Sequence, residues 1–280
     1  MAKVDLKDKA ICITGASSGI GRATAVACAR AGMRVVVAAR REDRLIEVVG
    51  RIRGEGGEAE AFALDVTDAA RCAEMIAFCE ERFGSVYSVF ANAGYGVEEP
   101  MYKESGSAMR KMFEVNFFGT WNVIEPALPK MLAAGSGHVV ICSSCLARFP
   151  VPYFGTYCAT KAAQHHIGRA MHVELKHKGV FTSTVHPVGT RTEFFDVAKE
   201  KSGSEGATLD GHAPTWLTQT PETVARAVVK CLRRPRPEVW PSWAWVVRVG
   251  MCLGGMTPRL ADVGVRRLVR EYEAAEGEQD

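Results

Sequence analysis

Tyr157 and Lys161 stand four residues apart. On a helix that spacing puts both side chains on one face, one turn from each other. A phenol with a pKa of about 10 is a poor proton donor or acceptor at neutral pH. A lysine ammonium nearby favours the phenolate and lowers that pKa. The pair is therefore a candidate general acid/base. Ser144 lies upstream, across the proline-bearing loop of SCLARFPVPYFGTYCATK, placed to hydrogen-bond a substrate oxygen at the same point. Read alone, the tyrosine–lysine spacing fits a surface helix pair as well. The elements that must position it decide between the two.

Those elements alternate. KAICIT (9–14) reads as a short buried strand. GASSGIG follows, with Gly15, Ser17, Ser18, Gly19, Ile20 and Gly21, before an alanine-rich helix predicted over 22–31. A strand, a glycine turn and a helix set backbone N–H groups against a phosphate. The second strand, RVVVAA (34–39), ends in Arg40 and Arg41, with no acid until Glu42. An acid at such a strand end binds a ribose 2′-OH, whereas an arginine welcomes a 2′-phosphate. The charge favours NADP(H) over NAD(H). Arg40 is the residue assigned to that phosphate. A helix over 41–53, a strand over 58–64, a helix to about Phe83 and a strand over 86–90 continue the pattern. This alternation predicts an α/β fold with a doubly wound parallel sheet. A long helix, 105–132, is expected to bend near Pro126 and to carry Asn116, which needs partners if buried. The strand GHVVIC (137–142) delivers Ser143 and Ser144, and a helix over 154–178 carries Tyr157 and Lys161. A sixth strand (180–186) precedes Pro187, and a helix over 220–233 has Pro221 at its first position. The polar stretch 192–211 reads as a mobile segment.

Composition narrows the field. The 280 residues are 47% hydrophobic and 24% charged, enough apolar content for one substantial core. A net charge of +3 does not point to nucleic acid. No apolar run follows the N-terminus, so a cytoplasmic protein is the expectation. The nine cysteines read as reduced thiols. Cys142 and Cys145 spell CxxC at a strand end rather than a helix start, which argues for coincidence over a redox pair. No metal-ligand spacing is present, so no metal is expected.

With GASSGIG, Asn92-Ala93-Gly94, Ser144 and YCATK in this order, the chain resembles the short-chain dehydrogenase/reductase family over roughly residues 5 to 240. The resemblance implies a Rossmann-type seven-stranded parallel sheet. It implies a catalytic tetrad of Asn116, Ser144, Tyr157 and Lys161. The family's usual interval of 13 residues to the tyrosine selects Ser144 over Ser143. In the implied roles Tyr157 gives the proton as hydride arrives from nicotinamide, and Ser144 holds the carbonyl oxygen. Lys161 bonds the nicotinamide ribose and lowers the tyrosine pKa, and Asn116 positions a water. Asp65 and Val66 match adenine contacts, Asn92 a ribose-side contact, and Arg40 an NADP-type arginine. Pro187, Val188 and Thr192 fall near the nicotinamide amide. The family's Pro-Gly is here Pro187-Val188, and a valine cannot take positive φ cheaply.

The stretches that would face a substrate supply Tyr95, Leu146, Phe149, Tyr153 and Phe194. They favour a bulky hydrophobic ketone or alcohol, steroid-, retinoid- or lipid-like, over a sugar or a short hydroxy acid. The tail, VWPSWAWVVRVGMCLGGM from 239, carries three tryptophans and then several arginines. It is too interrupted to span a bilayer. Residues 1–240 read as one dinucleotide-binding and catalytic domain, and 241–280 as a helical extension packed on it. The extension suits a cover for the substrate opening, a homodimer or homotetramer contact, or peripheral membrane association. A non-catalytic dinucleotide-binding sensor on the same fold is the rival function.

Overall fold

Alternating apolar runs build the sheet. In β1 (Ala10–Thr14) Ile11 and Ile13 face one side, and Ala10 and Cys12 face the other. Both sides are covered, so both sets are apolar, as a parallel sheet buried on two faces requires. The computed structural model describes residues 3–190, 192–193, 218–241 and 245–257, and beyond them residues 259, 262, 266, 269 and 270 singly. Phe194 and the rest of the polar stretch to 211 lie outside the described residues.

Six further strands join β1 in one parallel sheet, each paired with its neighbours: β2 (Arg34–Ala39), β3 (Ala59–Ala63), β4 (Ser88–Ala91), β5 (Gly137–Cys142), β6 (Val180–Val185) and β7 (Glu238–Val239). Their spatial order is β3-β2-β1-β4-β5-β6-β7. The order reverses between β1 and β4, and in open α/β sheets that switch point opens a crevice at the carboxyl ends of the strands.

On one face α1 (Gly19–Arg30), α2 (Glu42–Gly54) and, later in the chain, a helix over Pro221–Arg233 bury Ala25, Leu45, Val49 and Val228 against β1 and β2. On the other face lie α3 (Ala69–Phe83), α4 (Gly106–Phe113), α5 (Gly119–Ala133) and α6 (Gly155–Leu175). Of these α3, α5 and α6 bury Met75, Ile124 and Met171 against the sheet. The Pro221–Arg233 helix is α7, and Thr220 caps it by accepting from the Thr223 N–H. A last helix, α8 (Trp245–Met256), belongs to the tail. Its Val247 and Met251 pack on Cys145 and Val188 rather than away from the sheet. Among the described residues, no helix is long and apolar enough to cross a membrane.

One expectation is corrected. The expected long helix is present, helical throughout 106–133, but it is not regular α-helix from end to end. A π-turn at Glu114–Phe118 separates α4 from α5, while Pro126 and Pro129 sit inside α5. The extra residue in a π-turn widens the backbone locally, and such turns recur at functional sites. Here the widened turn carries Asn116.

Candidate active site

The crevice begins with the glycine turn. Gly15 and Gly19 have φ of +64° and +52°. A Cβ on Gly21 would stand 2.3 Å from the Gly15 carbonyl oxygen, so no larger residue fits the start of α1. The first turn of α1 holds no acid, and Ser18 does not cap it with its side chain. The first N–H groups of α1 therefore have no side-chain cap, which suits an anion. Asn92, at the end of β4, ties the turn down. Its Nδ2 donates to the Thr14 carbonyl at 3.0 Å and to that of Gly15 at 3.4 Å. This cradle fits a dinucleotide's phosphates.

At the end of β2, Arg40 is exposed and lies close enough to Asp65 to help hold that carboxyl low. The larger influence on Asp65 is the Thr67 N–H, 3.0 Å from Oδ1, which also accepts from the Thr67 hydroxyl at 2.8 Å. Val66 is buried against α5, where a Cβ on Gly119 would meet its Cγ2 at 2.6 Å. Arg41, rather than Arg40, is the arginine that touches the glycine turn. Its Nη2 donates to the hydroxyls of Ser17 at 3.2 Å and Ser18 at 3.1 Å, and pairs with Glu193 at 3.0 Å. Thr192 stands over Gly19, with its Cγ2 3.0 Å from where a Cβ would be. Pro187 and Val188 follow β6. Among the described residues only Asp8 and Tyr153 are non-glycines with positive φ, so Val188 accommodates the missing glycine without left-handed strain. Its side chain is instead buried beside Cys145.

Asn116, Ser144, Tyr157 and Lys161 come together and are all buried. Asn116 is held on every side. Its Oδ1 accepts from the Tyr95 N–H at 2.9 Å, and its Nδ2 donates to the Tyr95 carbonyl at 2.8 Å and the Thr160 hydroxyl at 3.1 Å. Its carbonyl accepts from Gln164 Nε2 at 2.5 Å and from the Thr120 hydroxyl at 2.7 Å. Gln164 is fully buried one turn beyond Lys161 and was not singled out from sequence. A Cβ on Gly94 would lie 3.0 Å from Asn116 Oδ1 and 3.5 Å from Lys161 Nζ. Only a glycine leaves that space open.

The two serines divide cleanly. Ser143 donates its hydroxyl to the Lys161 carbonyl at 2.9 Å, a structural bond. Ser144 turns the other way: its Oγ accepts from the Leu146 N–H at 3.1 Å and shares a hydrogen bond with the Tyr157 hydroxyl. Lys161 Nζ donates to the Cys142 carbonyl at 2.8 Å and lies 5.6 Å from the Tyr157 ring centre. The expected depression of the Tyr157 pKa by Lys161 is not what the geometry gives. Burial pushes the phenol up, and the hydrogen bond with Ser144 is what opposes it. Burial also pushes Lys161 down. In both cases desolvation penalises the charged form. Cys142 and Cys145 are buried free thiols, and burial pushes Cys145 up to about 12, far from an activated thiolate.

Tyr95, Leu146, Phe149 and Tyr153 gather with Val151 and Phe154 around Tyr157. Tyr153 has φ +69°, a strained setting for a tyrosine, and its carbonyl accepts from the Glu99 N–H at 2.8 Å. Its hydroxyl donates to the Val269 carbonyl at 3.4 Å, so the tail reaches the apolar wall.

The family model described as short chain dehydrogenase matches residues 9–203. An uncharacterized oxidoreductase of Listeria innocua is 32% identical over 232 residues, which cover 82% of this chain and 92% of that protein. A 2,5-dichloro-2,5-cyclohexadiene-1,4-diol dehydrogenase of Sphingobium indicum is 35% identical over 187 residues, 67% of this chain and 75% of that one. Among solved structures, an alcohol dehydrogenase from the archaeon Thermococcus sibiricus, complexed with 5-hydroxy-NADP, has a TM-score of 0.72 at 31% identity. The match covers 83% of this chain and 95% of that one. A Burkholderia phymatum short chain dehydrogenase/reductase in complex with NAD shares the fold at TM-score 0.81 and 24% identity, over 92% and 96% of the two chains. A family match over two thirds of the chain, joined by relatives above 30% identity along most of their own length, establishes that the chain belongs to the short chain dehydrogenase family and is an oxidoreductase of that type.

Proposed function

We propose that the chain is an NADP(H)-dependent oxidoreductase acting on the carbonyl or secondary alcohol of a bulky hydrophobic substrate. The observation that carries this reading is Tyr157. It is a buried phenol hydrogen-bonded with Ser144, beside Lys161, at the base of an apolar wall. A nicotinamide cofactor, when bound, supplies or takes up the hydride. Everything else falls to the chain's own side chains. The Ser144 hydroxyl is placed to donate to a carbonyl oxygen. The Tyr157 phenol, kept neutral by burial, holds the proton that this oxygen needs, so the resting protein has the acid form that carbonyl reduction uses. Asn116 fixes the opening beside Gly94, through which Lys161 faces the crevice.

Arg40 and Arg41, with no acid at the end of β2, support a preference for a 2′-phosphate. Tyr95, Phe149 and Tyr153 support an apolar substrate. Val247 and Met251 of α8, turned onto Cys145 and Val188, favour a tail that shields the site over one that lies on lipid. Assembly into a homodimer or homotetramer belongs to the same reading. Phe118 (47% exposed) and Val173 (70% exposed) leave apolar surface for a second copy. The test is a panel of ketones, aldehydes and secondary alcohols, following the absorbance of the reduced cofactor. Turnover of bulky carbonyls with NADPH is expected, and Arg40→Asp should narrow the preference over NADH. Equal affinity of the unaltered protein for both cofactors by calorimetry would count against the assignment.

A further inference from the structure

Beside the Ser144 backbone lies a group of polar side chains that the proposed mechanism does not use. His186 is fully buried, and its Nδ1 is 2.9 Å from the Ser144 carbonyl oxygen. A carbonyl only accepts, so Nδ1 carries the proton and Nε2 must be the acceptor. The Thr184 hydroxyl is the donor: its one proton has the ring nitrogen at 3.0 Å and the Pro237 carbonyl at the longer 3.3 Å. Thr184 in turn is 3.5 Å from Nδ1 of His165, whose Nε2 is 3.2 Å from Arg148 Nη2. An arginine only donates. Both ends of the chain are thereby fixed, and the direction runs Arg148, His165, Thr184, His186, Ser144, with both imidazoles neutral.

The next bond makes this a clamp. The Cys145 N–H donates to the Pro187 carbonyl at 3.0 Å. The Ser144 carbonyl and the Cys145 N–H are the two poles of one peptide group. His186 and Pro187, adjacent in sequence, hold one pole each. Holding that peptide, with Ser144 ψ at 159°, fixes where Cβ leaves the backbone, and the Leu146 N–H, 3.1 Å from Oγ, then holds the hydroxyl's rotamer. The His186 ring is itself held flat against the Trp240 indole, 4.7 Å between centres and 12° between planes. Trp240 packs with Val247 and Met251 of α8.

We propose that His186 is a positioning residue for catalysis: its Nδ1–H fixes the peptide after Ser144 and so aims the serine hydroxyl at the point Tyr157 serves. The proposal rests on Ser144 and Tyr157 having the roles given above. His186 touches neither substrate nor cofactor in it, and a misplacement of about 1 Å at a reacting group is enough to cost on the order of a hundredfold in rate.

Two substitutions separate the hydrogen bond from the packing. His186→Phe keeps a ring for Trp240 and loses the donor. His186→Asn loses the ring and keeps an amide N–H near the position of Nδ1. On a carbonyl that the unaltered enzyme reduces with NADPH, His186→Phe should lower kcat on the order of tenfold to a hundredfold. KM for NADPH and for the carbonyl should stay within about twofold, and His186→Asn should recover most of kcat. A His186→Phe enzyme with unchanged kcat, or an Asn variant no better than Phe, overturns the proposal. Tyr157→Phe serves as the control: if it retains turnover, the reading of the site fails first, and if it abolishes turnover while His186→Phe does not, only the clamp fails. A measurement on the unaltered protein needs no variant to fold. Nitrogen NMR of the imidazoles should show His186 neutral and protonated at Nδ1 at neutral pH, and an Nε2–H tautomer or an imidazolium would refute the geometry.

Discussion

The two walls of the crevice are built from different materials. On the β1–β4 side, position comes from backbone. Gly15 and Gly19 take positive φ, Gly21 leaves no room for a Cβ, and one asparagine laces β4 to the turn. On the β5–β7 side it comes from side chains far apart in sequence. Arg148, Arg169 and Arg248 reach Glu238 from the loop after β5, from α6 and from α8, and Trp240 donates its indole N–H to the same carboxylate. Burial works to raise the Glu238 pKa, but Trp240 and the arginine charges outweigh it, and the carboxyl stays ionised. Backbone geometry does not titrate. A wall of buried histidines and ion pairs does. One wall is therefore intolerant of added atoms, and the other of added protons.

The largest expected effect sits where the walls meet. Tyr157→Phe should reduce turnover by on the order of 10²- to 10⁴-fold, the range for losing a positioned acid/base. Cofactor affinity, measured by calorimetry, should hardly change. Retained turnover would dissolve the proposed chemistry and leave only a bound dinucleotide.

Next comes Gly21→Ala, aimed at the backbone wall. The new methyl would press on the Gly15 carbonyl and on Asn92 Nδ2, 2.8 Å away, neither of which can yield without opening the turn. A stability loss of about 1–3 kcal/mol is expected, as for an overpacked core site, together with weakened cofactor binding. Gly50→Ala is the matched control. Gly50 lies in α2 with nothing within 4 Å of its would-be Cβ. It should gain about 0.5–1 kcal/mol from helix propensity. Denaturant unfolding of both variants against the parent reads the difference.

This division also explains what could be read from the sequence. The glycine turn, Asn92 and the tyrosine–lysine pair are local patterns whose meaning lies in spacing. The strand alternation is likewise local, and the element order follows it closely. Ser144 was separable from Ser143 by its interval to Tyr157, and the bond from Ser143 to the Lys161 carbonyl now shows why the first serine is occupied. The π-turn at Asn116 was not legible, because its one extra residue only shifts the phase of the apolar stripe, too small a change to see over five residues. Gln164 looked like any helix polar residue until the fold put it on the Asn116 carbonyl. Arg41 was outweighed by Arg40, since both end the same strand and only side-chain direction distinguishes them. The His186 clamp depends on partners 42 residues away across two strands, and no spacing rule brings Arg148 to Glu238, 90 residues on.

The side-chain wall should fail in acid. Burial lowers the pKa of His165 and His186 to about 4, and that of His138 to about 3. In the unfolded chain each titrates near about 6.5. Between those values the unfolded state binds more protons than the folded one. Stability from these groups is therefore fully present above about pH 6.5 and declines as pH falls to about 4, or to about 3 for His138. Each group contributes a slope of up to about 1.4 kcal/mol per pH unit within its window. Urea unfolding at about pH 7 and about pH 5 should show the fall, and His186→Phe should flatten part of it. A pH-independent midpoint across that window would mean that these imidazoles are hydrated or already charged in the fold. Glu238→Gln adds a smaller test. It removes one charge from among three arginines, and about 1–3 kcal/mol of stability should go with it. Thermal unfolding compared at low and high salt reads that loss, because the arginines left unpaired repel less when screened.

The smallest effect concerns Arg41 and Glu193, the ion pair described between the end of β2 and the segment after β6. The two side chains are 48% and 45% exposed. A pair that open to water contributes at most a few tenths of a kcal/mol, so Glu193→Ala should leave the unfolding midpoint where it is. Cofactor binding is a different matter. Arg41 Nη2 is shared among Glu193, Ser17 and Ser18, all at about hydrogen-bond distance, and the proposed 2′-phosphate would have to compete with the Glu193 carboxylate for it. Removing the carboxylate removes the competitor and a nearby negative charge. Glu193→Ala should therefore tighten NADPH by about twofold to fivefold, a gain of roughly 0.4–1 kcal/mol. It should leave NADH almost unaffected, and the difference should shrink with added salt. Tightening of both cofactors alike would place Glu193 against the shared phosphates. No change in either would mean that Arg41 serves only to hold Ser17 and Ser18, and that the backbone wall needs no side-chain help to choose its cofactor.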